Sequence, residues 1–362
     1  MTPNATPSGR ALNAAVVPDR ESSLRSHEKN IDCMMPEKTT STRRALLRRL
    51  PSLVGLVLFV IAILVLRHEL RGQHLSTIVR MMRSVPGSHL LLAMLLSFGC
   101  YLALTGYDAL ALSYLGCRLS YHNIAFASFV GYALSNNIGF SPVTGGSVRY
   151  RFYCNKGLEV GKIMHLVGFC VLTFWVGFLS LAGALFVLYP PQLIASSSLP
   201  FFAAQPVGLC FLAIVTAYLL LSAAPRKPLT LRRLNIEIPS LLIAIGQIFF
   251  ASMELLLCAG ILFAVLPASG SLPYFSFVSI FLLAHFAGLA SQVPGGIGVF
   301  ETVLVSLLPA SYAPSAVLGS LVLYRIIYNV LPLATGVALL GWREFFDHRH
   351  CFGMKKRESK EG

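Results

Sequence analysis

The stretch NNIGFSPVTGGSVRYRFY, residues 136–153, interrupts a chain that otherwise consists of long apolar runs. A second stretch of the same kind, VPGGIGVFETVLVSLLP, occupies residues 293–309. Each follows an apolar run, carries a proline and two adjacent glycines, and then places ionisable residues beside aromatic ones. Broken helices of this type accompany binding sites near the midplane of the bilayer. The two stretches predict two Gly-rich re-entrant or broken helices, and their spacing is compatible with an internal repeat.

The composition places these stretches in a membrane. Of the 362 residues, 55% are hydrophobic and only 12% are charged, and the mean hydropathy is +0.70. Soluble domains carry about 25% charged residues, so this balance excludes most soluble folds. The length accommodates about eight spans of about 20 residues with short connections. We therefore predict an all-α, polytopic integral membrane protein.

The predicted spans follow the apolar runs. The first, residues 50–66, lies between the basic sequences RRALLRR and RHELR and is interpreted as an uncleaved anchor. The others fall near residues 88–112, 122–140, 162–189, 206–223, 240–266, 274–293 and 313–341. Residues 74–85 place apolar side chains on one helical face, which indicates either a helix in the membrane interface or an ordinary amphipathic connector.

Polar sequence flanks the apolar region at both ends. Residues 1–44 predict a disordered basic tail, residues 45–341 a transmembrane domain, and residues 342–362 a basic C-terminal tail. The 29 Lys and Arg against 15 Asp and Glu give a formal charge of +14. Basic segments beside a membrane attract anionic lipid, and no soluble basic module is left over. We predict no nucleic-acid partner.

A small set of ionisable residues lies within or beside apolar sequence. Its members are Asp108, Glu254, His285, Glu301 and Arg325, joined by Arg149 and Arg151 at the first interruption. A charge at the bilayer centre costs at least about 2.5 kcal/mol, so such groups face a cavity or a partner. Structural ion pairs and a binding site both fit this set. Asp108, Glu254 and His285 are predicted to form an intramembrane polar network, although Asp108 is close enough to its span end to reach the interface.

The chemistry of the two interruptions suits a zwitterionic or cationic lipid head group. Backbone N–H groups freed at Gly145 and Gly146, beside Arg149 and Arg151, would receive a phosphate. Glu301, at the second interruption, would instead receive an ammonium. The alternative is that the glycine pairs only allow helices to pack closely.

Other site chemistry finds no support in the sequence. The eight cysteines form no C-x-x-C motif and have no histidine at metal-binding spacing, so we predict no metal, no cofactor and no disulfide framework. No G-x-S-x-G, H-E-x-x-H or P-loop motif is present, and no catalytic residue is predicted. His285 is interpreted as a buried hydrogen-bonding group in preference to a proton relay.

Four ordered motifs carry a resemblance to a known family. They are SNNIGFSPVTGGSVRYRFY at residues 135–153, CVLTFWVGF at 170–178, VPGGIGVFE at 293–301 and YRIIYNVLP at 324–332. Together they resemble the membrane domain of the aminoacyl-phosphatidylglycerol flippase/synthase family, also called the multiple peptide resistance factor or lysylphosphatidylglycerol synthase transmembrane region. The resemblance covers roughly residues 45–341.

The resemblance implies a function at the bacterial inner membrane. Full-length members continue into a soluble domain that transfers an amino acid from aminoacyl-tRNA to phosphatidylglycerol. Their membrane half is expected to flip the product, such as lysyl- or alanyl-phosphatidylglycerol, to the outer leaflet, which contributes to resistance to cationic antimicrobial peptides. Because this sequence ends about 20 residues after its last predicted span, we expect a stand-alone flippase-type domain that is not an enzyme.

Carried over by motif, the expected head-group residues come from three segments. They are Asn136, Asn137, Gly145, Gly146, Arg149 and Arg151; Pro294, Gly295, Gly296, Gly298 and Glu301; and Arg325. Two other functions stay open: a non-transporting module that supports a separate synthase, and a secondary transporter of a small polar solute. Homo-oligomerisation and the orientation in the membrane are also left open.

Overall fold

The computed structural model describes residues 84–138, 141–190, 204–224, 229–231, 234–236, 238–267, 272–291, 296 and 298–343. Its helices are α1 Gly87–Tyr114, α2 Tyr121–Ile138, α3 Ser141–Cys154, α4 Val160–Leu188, α5 Ala204–Ala223, α6 Leu241–Val265, α7 Tyr274–Ala290, α8 Val299–Leu307 and α9 Pro314–Arg325. A π-helical turn, Ile326–Val330, follows α9, and the helix then continues to residue 343. The predicted N-terminal tail, the 50–66 run, nearly all of segment 74–85 and of the C-terminal tail, Pro294 and Gly295 lie outside the described residues.

Within the described residues, five helices are long and apolar enough to cross a membrane. They are Gly87–Tyr114, Val160–Leu188, Ala204–Ala223, Leu241–Val265 and Ala316–Arg343. Their outer faces carry large apolar side chains, such as Phe98 and Met164, each 72% exposed, which lipid solvates and water does not. This confirms an all-α polytopic membrane protein. The number of about eight spans stays a prediction.

A short β-ribbon is the departure from all-α structure within the described ranges. Strands β1 Leu229–Leu231 and β2 Leu234–Ile236 pair antiparallel, with Leu229 opposite Ile236. The ribbon lies in the connection between α5 and α6. It falls in a polar, basic segment of the sequence, where no span was expected.

The helices form two sets with the same order of lengths. In α1–α4, and again from α6 to the continuous helix formed by α9, the π turn and the residues up to 343, a long helix is followed by an intermediate one, a short one and a long one. The second set follows the first by about 154 residues, as the starts at Gly87 and Leu241 illustrate. In both sets the intermediate and short helices pack against each other, α2 on α3 and α7 on α8.

The contacts between the two sets show that the second is inverted relative to the first. Corresponding helices α1 and α6 run antiparallel: His89 contacts the carbonyl of Ala264 near one end, and Leu110 packs on Gly246 near the other. The helix after α9 packs on α2 just as α4 packs on α7. The fold is thus an inverted four-helix repeat; the two interruptions had indicated an internal repeat but not its inversion. Such repeats place binding sites where the halves meet.

The two glycine-rich stretches differ in backbone structure. Gly296 and Gly298 have φ angles of +62° and +85°, so the chain turns here between α7 and α8, as predicted for a broken helix. Gly145 and Gly146 instead lie inside α3. The expectation that this pair leaves backbone N–H groups free for a phosphate is therefore wrong, because helical hydrogen bonding engages them.

Candidate functional site

The first half of the repeat contains a buried ion pair between Asp108 of α1 and Arg149 of α3. The guanidinium donates from Nε to Oδ2 at 2.8 Å and from Nη2 to Oδ1 at 2.6 Å. The side chains are 0% and 3% exposed. The Asp108 carboxylate is enclosed where α1, α3 and α4 meet, and its charge is compensated there.

Further groups complete the surroundings of this pair. The Tyr153 hydroxyl donates to Asp108 Oδ2 at 2.8 Å, and Cys170 Sγ lies 3.5 Å from Oδ1. The Arg149 guanidinium carbon lies 4.5 Å from the centroid of the Tyr132 ring, which adds a cation–π contact. Tyr153 lies one turn after Arg149 on α3, so both reach the same carboxylate. Arg149 Nε and Nη2 are thus both bound to Asp108 in this conformation.

Gly145 makes room for the guanidinium. It precedes Arg149 by one helical turn, and a Cβ at this position would lie 2.9 Å from Arg149 Nη1 and 2.5 Å from Ser135 Oγ. Both separations are too short for a side chain. The position of the guanidinium thus depends on a missing Cβ at Gly145, while a Cβ at Gly146 would meet only Val167, at 3.6 Å and beyond.

The second half contains a more accessible ion pair between Glu301 of α8 and Arg325 at the end of α9. Arg325 Nε donates to Glu301 Oε1 at 2.8 Å, and Nη2 donates to the same oxygen. The other oxygen, Oε2, accepts the N–H of Gly298 at 2.6 Å and so caps α8. The Glu301 and Arg325 side chains are 13% and 11% exposed. Arg325 directly precedes the π-helical turn, a feature frequent at functional sites.

The third acid, Glu254, has no arginine partner among the described residues. It is 5% exposed, and its Oε1 accepts a hydrogen bond from the Tyr328 hydroxyl at 3.2 Å. Cys100 Sγ lies 3.7 Å from the same oxygen. Its Oε2 is buried without a hydrogen-bond partner. Glu254 is thus a buried carboxyl group in an uncharged polar cluster.

The predicted asparagines connect to this cluster. Asn136 Nδ2 donates to the Tyr328 hydroxyl at 3.3 Å, and Asn137 Nδ2 donates to the carbonyls of Ala133 and Asn329. Both amides therefore join α2 to the π-helical turn. Glu254 and Asp108 were predicted to belong to one polar network. In the structure they lie in separate clusters.

The remaining predicted residues are spread over both halves. His285 stacks on Phe281 at a centroid distance of 5.8 Å and lies against Phe174 and Phe300. Gly296 packs on Gly288, where a Cβ would lie 3.1 Å from the Gly288 Cα. Arg151 lies half-buried on α3 and takes part in polar or electrostatic contacts. The glycine at 296 thus serves close packing as well as chain reversal.

An apolar cleft of about 420 Å³ lies beside the Glu254 cluster. It opens between α1, α2 and the helix after the π turn, and Phe98, Tyr101, Phe129 and Leu331 are among its lining residues. Tyr101 separates the cleft from the cluster, since its hydroxyl donates to the Tyr328 carbonyl at 3.1 Å. The cleft has the lining that suits an acyl chain.

Sequence reasoning missed several residues of these clusters. Tyr153, Cys170, Cys258 and Tyr328 contact the acids but carry no charge, so the search for ionisable residues in apolar sequence passed over them. Spacing offered a partial signal, because Tyr153 follows Arg149, and Cys258 follows Glu254, by four residues.

Comparison with known proteins identifies the family. Residues 52–336 match the family described as the lysylphosphatidylglycerol synthase TM region. The chain is 36% identical over 312 residues to the uncharacterized protein slr0712 of Synechocystis sp., covering 86% of this chain and 95% of that protein. It is 29% identical over 241 residues to the inner membrane protein YbhN of Escherichia coli K12, covering 66% and 73% of the two chains.

A more distant relative is named for an enzymatic activity. The phosphatidylglycerol lysyltransferase of Staphylococcus haemolyticus is 23% identical over 306 residues, which cover 83% of this chain but 35% of that enzyme. The similarity is therefore to a part of the enzyme, and the family match lies in a membrane region. This chain belongs to the lysylphosphatidylglycerol synthase transmembrane-region family.

Proposed function

We propose that this protein translocates an aminoacylated phospholipid, such as lysyl- or alanyl-phosphatidylglycerol, across the bacterial inner membrane. The observation that carries the proposal is the inverted repeat with an acid–arginine pair at the short helix of each half. In transporters, inverted halves rock against each other and expose one site to each side in turn. Translocation of this kind would contribute to resistance to cationic antimicrobial peptides.

Head-group recognition is assigned to the Glu301–Arg325 pair. A lysyl-phosphatidylglycerol head group carries ammonium groups and one phosphate. An ammonium matches the Glu301 carboxylate and the phosphate matches the Arg325 guanidinium, so the ligand can replace the internal pair without leaving a charge unpaired. The pair is partly exposed and lies beside the Gly296–Gly298 turn, which supports its access to ligand. Pro294 and Gly295 complete the same proposed segment.

The arginines of the first interruption have a secondary role in this proposal, contact with the phosphate. Arg151 is half-buried, in contrast to the enclosed Arg149, and is proposed to contact the phosphate as the lipid moves. Arg149 would do so only after its pair with Asp108 opens. The apolar cleft beside Tyr101 offers a surface for an acyl chain during movement. Asn136 and Asn137 lie between these regions, on α2.

Reconstitution tests the proposal. Proteoliposomes that contain the purified chain and labelled lysyl-phosphatidylglycerol should move the label between leaflets faster than liposomes without protein. Parallel samples with alanyl-phosphatidylglycerol, unmodified phosphatidylglycerol and a soluble amino acid distinguish a flippase for aminoacylated lipid from a general scramblase and from a solute transporter. A folded protein that accelerates none of the lipids would overturn the proposal.

A matched pair of variants tests the assigned residues. Glu301→Gln removes the charge at the proposed site and should lower the translocation rate at least about tenfold, the effect of about 1.4 kcal/mol on the barrier. Glu159→Gln makes the same chemical change at an exposed position before α4 and should leave the rate unchanged. Equal rates for the two variants would contradict the assignment to Glu301.

A further inference from the structure

Three helices bring five polar side chains to one buried point where α1 crosses α6. They are Cys100 of α1, Glu254 and Cys258 of α6, Tyr324 of α9 and Tyr328 of the π-helical turn. Glu254 and Cys258 are one helical turn apart and share a face of α6. The point lies midway along both long helices, where the two inverted halves meet.

The atoms of this cluster are close together and enclosed. One donor atom each of Cys100, Glu254 and Cys258 lies within 4.8 Å of the others. Cys100 Sγ is 3.7 Å from Glu254 Oε1, and the Tyr324 hydroxyl is 2.9 Å from Cys258 Sγ. The three residues are 0%, 5% and 2% exposed. Both cysteines are free thiols.

One carboxylate oxygen in the cluster has no partner. Glu254 Oε2 is buried without a hydrogen bond, and in the described part of the chain no arginine or lysine pairs with this residue. The other two intramembrane acids, Asp108 and Glu301, each bind an arginine. A carboxyl oxygen without a partner beside two thiols gives the cluster the donor atoms of a cation site.

We propose that Cys100, Glu254 and Cys258 bind a thiophilic divalent metal ion, with Zn²⁺ the best match. Zinc combines Cys sulfur at about 2.3 Å with carboxylate oxygen at about 2.0 Å in tetrahedral sites, which requires donor atoms about 3.5–3.8 Å apart. The Cys100–Glu254 distance of 3.7 Å meets this requirement. Magnesium and calcium prefer all-oxygen sites and do not fit two sulfurs. The Tyr324 hydroxyl, 2.9 Å from Cys258 Sγ, is the fourth ligand in this proposal.

Binding of Zn²⁺ with release of two protons leaves the site with the single negative charge of Glu254. Each thiol releases its S–H proton to solvent as an S–Zn bond forms, and no atom is oxidised or reduced. Two thiolates neutralise the divalent ion, and the Tyr328 hydroxyl stabilises the remaining carboxylate charge through its bond to Oε1. The metal would tie α1, α6 and α9 together at the point where the halves of the repeat meet. Spacing along the sequence did not reveal the site because Cys100 lies on α1, far along the chain from Glu254 and Cys258 on α6.

The test uses the full chain, purified in detergent under reducing conditions. In a background in which Cys33, Cys117, Cys154, Cys210 and Cys351 are serine, three thiols remain: Cys100, Cys258 and Cys170. After equilibration with Zn²⁺ and desalting, elemental analysis should find about one ion per chain, and Zn²⁺ should raise the melting temperature. Co²⁺ in place of Zn²⁺ should show thiolate-to-metal charge-transfer absorption.

Cys170→Ser is the matched control, because Cys170 is also buried beside a carboxylate, but that carboxylate is paired with Arg149. This variant should keep the ion, the cobalt spectrum and the thermal shift. Cys100→Ser/Cys258→Ser should lose all three, and Glu254→Gln should bind more weakly. A background protein that takes up no Zn²⁺ and gives no cobalt charge-transfer band overturns the proposal, whether or not the double variant folds. A folded double variant that still binds one ion also overturns it.

Discussion

The Asp108–Arg149 pair of the first half and the Glu301–Arg325 pair of the second are built from the same parts but differ in access. Each joins an acid to an arginine, and one partner of each lies on the short helix of its half. The first pair is 0% and 3% exposed, and a tyrosine, a cysteine and an aromatic ring enclose it. The second is 13% and 11% exposed and lies beside a turn.

The difference indicates a division of roles between the halves. A buried pair whose partners are all satisfied is costly to break, because each remaining charge is then unpaired in an apolar surrounding. A pair next to a glycine turn and a π-helical turn can rearrange with less loss of contacts. We expect substitutions in the first half to affect mainly stability, and substitutions in the second to affect mainly transport.

The largest effect is expected for Arg149→Ala. It leaves the Asp108 charge buried without its partner, and we expect a loss of about 3–5 kcal/mol in unfolding free energy. Unfolding in mixed micelles measures this, with Arg151→Ala on the same helix as the control. An unfolding free energy within about 1 kcal/mol of the wild-type value would contradict a stabilising role for the Asp108–Arg149 pair.

Removing both charges sharpens the same comparison. In Asp108→Leu/Arg149→Met, no charge is left unpaired, so the double variant should be more stable than Arg149→Ala. The same unfolding measurement applies. If the double variant is no more stable than the single one, packing around Tyr153 and Cys170, and not charge, determines the stability of the region around Asp108 and Arg149.

A smaller loss is expected for Gly145→Ala. The new Cβ would be 2.5 Å from Ser135 Oγ and 2.9 Å from Arg149 Nη1, and we expect a cost of about 1–3 kcal/mol. Gly146→Ala is the neighbouring control, since its Cβ meets Val167 at an ordinary 3.6 Å and alanine favours the helix. Equal stability of the two variants in thermal unfolding would show that Ser135 and Arg149 can shift to accommodate a Cβ at residue 145.

At the second interruption, Gly298→Ala tests the turn. With φ at +85°, an alanine is expected to cost about 1–2 kcal/mol although no neighbouring atom lies within 4 Å of its Cβ. Gly168→Ala, on α4 and also without neighbours within 4 Å, should be neutral or slightly stabilising. Thermal unfolding of the two variants separates backbone strain from crowding, and equal melting temperatures would refute strain at this turn.

The smallest effect on stability is expected for Glu301→Gln. The amide oxygen can still accept the N–H of Gly298, and Arg325 keeps some contact with solvent, so the loss should be about 1 kcal/mol or less. Unfolding in mixed micelles measures it beside Arg149→Ala. If Glu301→Gln lost as much unfolding free energy as Arg149→Ala, the Asp108–Arg149 and Glu301–Arg325 pairs would not differ in their contribution to stability.

Much of the architecture could be predicted from the sequence. The apolar runs near 88–112, 162–189, 206–223 and 240–266 correspond to α1, α4, α5 and α6 within a few residues, because lipid requires about 20 apolar residues with internally paired backbone. The interruptions were located from their glycines and charges. Whether a glycine pair breaks a helix was not predictable, since Gly145 and Gly146 remain helical while Gly296 and Gly298 turn the chain.

Sequence alone determined that this protein lies in a membrane and that its fold is helical. It also located the two glycine-rich stretches and the small set of intramembrane charges, because hydropathy and charge are local properties. Tertiary structure decided which acid meets which arginine, since Asp108 and Arg149 come from helices far apart along the chain. It also left Glu254 with two thiols and two phenols in place of a cation. Those pairings depend on how antiparallel helices cross, which no linear spacing records.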